Sequence, residues 1–341
     1  MKRRAFGLVM VLLLALVVTG CFGTKTPEDV VNDLGGKLEK ITGYKTNAIL
    51  TLQTGTTPQQ YDVEVWFSKP TNYRVALTSK QRNITQIILR NDEGVFVLTP
   101  HLKKSFRFQS GWPENNGPLY LYETLVHSII DDTTRKVKMD DKEYMFEVKA
   151  NYSGNRSFSK QKIWLTDELI PKKAEIMDNN SNKLVDIQFT EFVFNPEFTK
   201  DDFNKDKNMT SGIQAVPAMS QPGTEDLTSD FGTIEPTYLP AGVKLESVGP
   251  VTYKEERAVV LKYQGNFNYS LIENRPSATS VWMEESEPVD LMFTIGAISH
   301  TADNKRVLKW ELDGVEFKLA GDLPEEEMIK VAQSTYGVGG K

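Results

Sequence analysis

The chain has 341 residues, of which 39% are hydrophobic and 25% charged, and a formal net charge of −6. That length allows two domains with cores of their own, and an acidic body excludes generic nucleic-acid binding and electrostatic docking on anionic lipid. A single cysteine, Cys21, excludes an internal disulfide and a multi-cysteine zinc site.

Residues 1–20 read as a leader. Lys2, Arg3 and Arg4 form a basic start, Phe6 to Val18 an apolar stretch, and Val18-Thr19-Gly20 leads into Cys21. The thirteen apolar residues reach roughly 20 Å as a helix, short of a hydrocarbon core of about 30 Å. Val18-Thr19-Gly20-Cys21 resembles the lipobox of bacterial lipoproteins. That resemblance implies cleavage before Cys21 and a diacylglyceryl group on its thiol. Two acyl chains anchor stably where one holds marginally. The expected body is lipid-anchored on the extracytoplasmic face of the cell membrane. Loss of the three leader cations takes its formal charge to −9.

After a short tether, Thr26 has the chemistry of an N-cap, with Pro27 at the first helical position and Glu28 and Asp29 in the first turn. Val30, Leu34, Leu38 and Ile41 share a helix face, and Gly43 is the expected stop. From Tyr44 to about Phe194 the texture is β. Ala48, Leu50 and Leu52 alternate with polar neighbours, as do Tyr61, Val63 and Val65, then Tyr73, Val75 and Leu77. Further strands are predicted at 85–90, 95–99, 103–108, 144–152, 159–165, 172–177 and 184–194, with a helix at 119–130. Consecutive strands without intervening helices point to an antiparallel sheet. About ten or eleven strands are too many to lie flat, so a half-barrel or open barrel with one or two helices on its concave side is expected. The fold class is α+β, mainly antiparallel β.

The apolar pattern lapses at 207–229, read as a linker between a first domain, 21–206, and a second, 230–341. The second has predicted strands at 244–251, 258–263, 269–273, 291–298, 307–312 and 315–320. Asp313-Gly314 signals a tight hairpin, and a last helix starts near Pro324.

The first helix, the long β run, the mid-chain helix and the close at Phe194-Asn195-Pro196-Glu197-Phe198 with Asp202-Phe203 resemble the LolA/LolB lipoprotein-carrier superfamily over residues 27 to about 206. Tyr238-Leu239-Pro240-Ala241-Gly242, Val307-Leu308-Lys309-Trp310 and Leu323-Pro324-Glu325-Glu326-Glu327 are similar to a C-terminal α+β domain of Gram-positive sporulation and membrane proteins. The whole combination resembles bacterial sporulation lipoproteins of the YdcC type and, more distantly, the germination lipoprotein GerS. The resemblance implies a LolA-like open barrel with a helical lid. It also implies a non-catalytic, membrane-anchored binding module for an envelope protein such as a cell-wall amidase. The alternative it leaves open is a hollow that binds or transfers a lipid or acylated protein.

Three histidines, His101, His127 and His300, lie far apart without metal spacing, and no nucleophile or phosphate-loop motif occurs. The chain is therefore read as no enzyme, with no cofactor beyond the covalent diacylglyceryl lipid and no metal. Asp131-Asp132, Asp140-Asp141 and Glu284-Glu285-Ser286-Glu287 read as solvated acidic turns, and Lys103, Lys104 and Arg107 as a solvated strand edge. The aromatic residues are the better lead: Trp66, Phe67, Phe96, Phe106, Phe108 and Trp112 either fill the core or line a cavity. Strand alternation puts Val63, Val65 and Phe67 on one face and Trp66, Glu64 and Asp62 on the other. The first face is the expected lining of the hollow, where an acyl chain would lie.

Overall fold

The computed structural model describes residues 25–53, 58–108, 112–113, 117–140, 142–152, 158–214, 233–254, 256–275, 280–283, 286–301, 305–312 and 314–335. Cys21, Asp141 and Glu284-Glu285 lie outside the described residues. The elements are α1 (Pro27–Lys40), β1 (Gly43–Leu52), β2 (Gln59–Ser68), β3 (Asn72–Ser79), β4 (Thr85–Asn91), β5 (Gly94–Thr99), β6 (Lys104–Phe108), α2 (Tyr122–Asp131), β7 (Lys136–Met139), β8 (Glu143–Lys149), β9 (Lys160–Thr166), β10 (Pro171–Met177), β11 (Lys183–Phe194) and α3 (Lys205–Gln214). They continue with β12 (Lys244–Tyr253), β13 (Glu256–Gln264), β14 (Tyr269–Asn274), β15 (Ser280–Met283), β16 (Glu287–Asp290), β17 (Ile295–His300), β18 (Arg306–Leu312), β19 (Val315–Gly321) and α4 (Glu325–Ser334).

Thr26 caps α1 as its chemistry requires: the Asp29 N–H donates to Thr26 Oγ1 (3.2 Å) while the Thr26 N–H donates to Asp29 Oδ2 (2.9 Å). The helix ends at Lys40, before Gly43, which instead opens β1. A side chain there would place Cβ 2.3 Å from the Phe67 carbonyl oxygen, so glycine is needed for strand approach, not for a helix stop.

The first sheet runs β15-β6-β5-β4-β3-β2-β1-β11-β10-β9-β8-β7. Its end strands, β15 and β7, do not pair, so the sheet is open. All its pairings are antiparallel except β15 with β6. In register, Tyr44 faces Phe67, Thr46 faces Val65 and Ala48 faces Val63, while Phe67 and Val65 face Tyr73 and Val75 on β3. These residues form one buried face, and α1 (Val30, Val31, Leu34) and α2 (Leu125, Val126, Ile129) join the same core. The opposite face of β3 to β5 buries Ala76, Ile87, Leu89, Phe96 and Leu98 against Phe203, with Trp66, Phe198 and Met209 beside them. α3 therefore covers the outer side, and the stretch read as linker from Lys207 is helical to Gln214. It begins with Asn204 Oδ1 accepting from the Lys207 N–H (3.0 Å), and Arg74 Nε donates to Asn208 Oδ1 at 2.6 Å, tying it to β3.

The second sheet runs β12-β13-β14-β19-β18-β17-β16, all antiparallel, with α4 in its core. Leu312 pairs with Val315 and Gly314 has φ +87°, the left-handed conformation expected of a tight hairpin. The strand expected at 291–298 begins only at Ile295; residues 291–294 are a bend. β7, β15 and β16 carry too few alternating apolar residues to be read from sequence; the burial of β7, Lys136-Val137-Lys138-Met139, is nowhere deep.

The two domains share a continuous apolar core, which includes Leu50 and Tyr120 of the first and Leu291, Phe293 and Trp310 of the second. Polar contacts reinforce it. Buried Glu311 of β18 accepts from Thr99 Oγ1 and from Gln86 Nε2 (3.3 Å) of the first domain. Lys104 is 1% exposed, with its ammonium 3.8 Å from Glu316. The edge expected to be solvated at Lys103, Lys104 and Arg107 is thus covered at Lys104, with β15 paired alongside β6, while Lys103 stays exposed and Arg107 half-buried. Among the described residues, no helix is long and apolar enough to cross a membrane.

Candidate functional site

The hollow between the first sheet and α2 has two ends of different make. At the deep end, aromatic rings are stacked in a continuous set. Phe67 lies 4.6 Å from Tyr73 and 5.4 Å from Tyr44, centroid to centroid. Tyr44 stacks on Phe192 at 5.2 Å, and Tyr122 of α2 meets Phe192 at 5.5 Å and Phe194 at 5.3 Å. Aromatic pairs at such separations contribute about 0.5–1.5 kcal/mol each beyond their buried area.

A carboxylate sits among these rings. Glu123, in the first turn of α2, accepts from Tyr44 Oη (2.7 Å) and Tyr73 Oη (3.1 Å), and the Tyr122 N–H donates to Tyr44 Oη (3.1 Å). Burial pushes the Glu123 carboxyl above its ordinary range, against the opposing pull of these hydrogen bonds. Burial, together with the Glu123 charge, drives both tyrosine hydroxyls upward too, so they stay protonated donors. The set pins the start of α2 to β1 and β3. Sequence reading missed Glu123; its signal is a lone acid beside apolar Leu121, Tyr122 and Leu125 on the lid helix.

Val63, Val65 and Phe67 lie on this covered face, each no more than 3% exposed and each part of the core. Trp66 is on the opposite face, between the Lys45 ammonium (4.8 Å) and the Arg74 guanidinium (4.3 Å) and beside Phe198. Alternation separates the two faces as expected.

At the mouth, a small cavity is lined by Leu50, Pro118, Leu119, Tyr120, Tyr152, Phe158 and Ile176 of the first domain and by Asp290 and Met292 of the second. Its free volume of about 20 Å³ has room for about one water. Asp290 is half-buried, and its Oδ1 accepts from the Met292 N–H at 2.7 Å. Burial pushes its carboxyl up to about 6, with that hydrogen bond opposing. Gln161, directly across from Ile176 on the same face, is fully buried with neither amide atom hydrogen-bonded. The Tyr152 hydroxyl lies near Gln161 without hydrogen-bond geometry.

The histidines remain apart: His101 sits in the 3-10 turn Pro100–Leu102, His127 on α2 and His300 at the end of β17. Among the described residues, no group of three or more His, Cys, Asp or Glu is placed to hold a metal ion.

Residues 1–203 match the family described as Sporulation protein YdcC-like, and residues 233–334 match a domain of unknown function, DUF4367. The sporulation protein YdcC of Bacillus subtilis (strain 168) is 37% identical over 344 residues, covering 99% of this chain and 99% of its own. Among solved structures, a chain of the MucA/MucB complex of Pseudomonas aeruginosa is 12% identical and covers 89% of this chain and 98% of its own, with a TM-score of 0.31. A putative outer membrane lipoprotein-sorting protein domain from Vibrio parahaemolyticus is 14% identical, covering 53% of this chain and 97% of its own, with a TM-score of 0.32.

Proposed function

The chain belongs to the YdcC-like family of sporulation proteins, and from that premise we propose that it is a non-catalytic, membrane-anchored module that binds another envelope protein. A cell-wall amidase is the proposed class of partner. The observation that supports this reading is the filling of the hollow. Phe67, Tyr44 and Tyr122 occupy its deep end, and Met292 lines what space is left at its mouth. With the interior taken up by the protein's own side chains, recognition falls to the outer surface. The shared core makes the two domains one platform for that surface. Anchoring is assigned to a diacylglyceryl group on Cys21, which places the body on the extracytoplasmic face of the membrane.

Two experiments test this. Cys21→Ser should release the protein from the membrane fraction while leaving its thermal melt unchanged; membrane retention of that variant refutes the anchor. Reciprocal co-purification of the chain with a cell-wall amidase from the same sporulating cells should return a stoichiometric complex. Native mass spectrometry that instead finds a stoichiometric acyl ligand and no bound protein would replace this reading with lipid carriage.

A further inference from the structure

The turn between β16 and β17 is one of the places where the second domain meets the first. Leu291 is 0% and Phe293 3% exposed, although both lie in a bend rather than a strand. Between them Met292 has φ +75°, a left-handed backbone that a long side chain rarely adopts. The Asp290 carboxylate holds it there through the Met292 N–H. In this unusual conformation Met292 lines the mouth cavity together with Leu50, Leu119 and Ile176. The wall it faces is apolar, yet behind it Gln161 keeps both amide atoms without a hydrogen-bond partner. Strain in the turn and an unsatisfied wall coincide at this cavity; where Ile295 and Trp310 meet Val97, Phe106 and Phe108, the second domain closes on the first with strand residues instead.

We propose that the Asp290–Thr294 turn is a built-in stopper, which seats the Met292 side chain in the mouth of the first domain's hollow and thereby excludes other apolar molecules. The strained residue is the one whose removal opens the mouth at least cost. Glycine at position 292 adopts φ +75° freely, so Met292→Gly relieves the backbone while deleting the seated side chain. The proposal does not depend on the identity of any protein partner, since partner capture and mouth opening have separate readouts.

The test uses the chain from residue 21 onward with Cys21→Ser, which keeps every described residue, and the fluorescent fatty acid cis-parinaric acid as probe. The parent protein should bind the probe weakly. Met292→Gly should gain one saturable site with an apparent Kd at least tenfold lower. Adding Leu119→Trp, which refills the same cavity from another residue of its lining, should abolish the gain. Met292→Asn, whose residue type also tolerates positive φ, carries the same test, and a cooperative melt is required of each variant scored. The proposal is overturned if either folded 292 variant binds no better than the parent, if the parent already binds as tightly, or if the gain survives Leu119→Trp.

Discussion

At the deep end of the hollow a buried carboxyl and two tyrosine hydroxyls find one another, whereas at the mouth three buried polar side chains do not. Glu123, Tyr44 and Tyr73 form a closed hydrogen-bonded set under α2. Gln161, Thr294 Oγ1 and the Tyr152 hydroxyl at the other end have no hydrogen-bond partner. The deep end is closed by rings adjacent on paired strands, the mouth by a turn from about 170 residues further along the chain. A satisfied, close-packed end resists change, because any opening exposes both apolar area and orphaned polar atoms. At the mouth part of that cost is already present in the closed state, so movement is cheapest there.

Four substitutions break or sharpen this contrast. Phe67→Ala should be the most damaging, costing about 3–5 kcal/mol in chemical denaturation, since a cavity is left among rings that cannot collapse. A loss under 1 kcal/mol would mean that the deep end is loose. Glu123→Ala should cost about 2 kcal/mol by stranding two buried hydroxyls, and it should loosen α2, read as faster hydrogen exchange along that helix.

Asp290→Asn should act in the opposite sense. Its carboxyl is raised in the folded protein to about 6, so the folded state favours the protonated form. Its contribution is fully present below the unfolded value near 3.8 and is lost as pH rises to about 6. The asparagine variant should match the parent near pH 3.5 and exceed it by roughly 2 kcal/mol at pH 7.5, measured by thermal melts across that range. A pH-independent difference would remove Asp290 from the buried mouth. Lys80→Ala, at a surface pair 3.1 Å from Asp62 on the outer face, should stay within about 0.5 kcal/mol of the parent and serves as the control.

Much of this contrast follows from period-two alternation. Tyr61, Val63, Val65 and Phe67 face inward because strands turn successive side chains to opposite sides, and nothing nonlocal is needed to know it. The N-cap at Thr26 and the hairpin at Gly314 are equally local. The mouth is not legible in this way. Leu291, Met292 and Phe293 form an apolar run that fits a buried strand as well as a buried bend, and only the left-handed Met292 decides between them. In the sequence Glu123 is indistinguishable from an ordinary first-turn acid, since its tyrosine partners sit 79 and 50 residues away. Lys104 read as a surface cation because β15, which covers its strand, follows long after.

That late strand puts a clock on the protein's birth. β6 emerges and can pair with β5 long before residues 280–283 exist, so its outer edge waits for a neighbour from the far side of the chain. At ~5–20 residues per second the wait is on the order of ten seconds or more. During it, the nascent domain offers a bare strand edge of the kind that recruits other chains. A fragment cut after residue 206 makes that interval permanent. Clumping by such a fragment would report a missing strand, and not a property of the intact molecule.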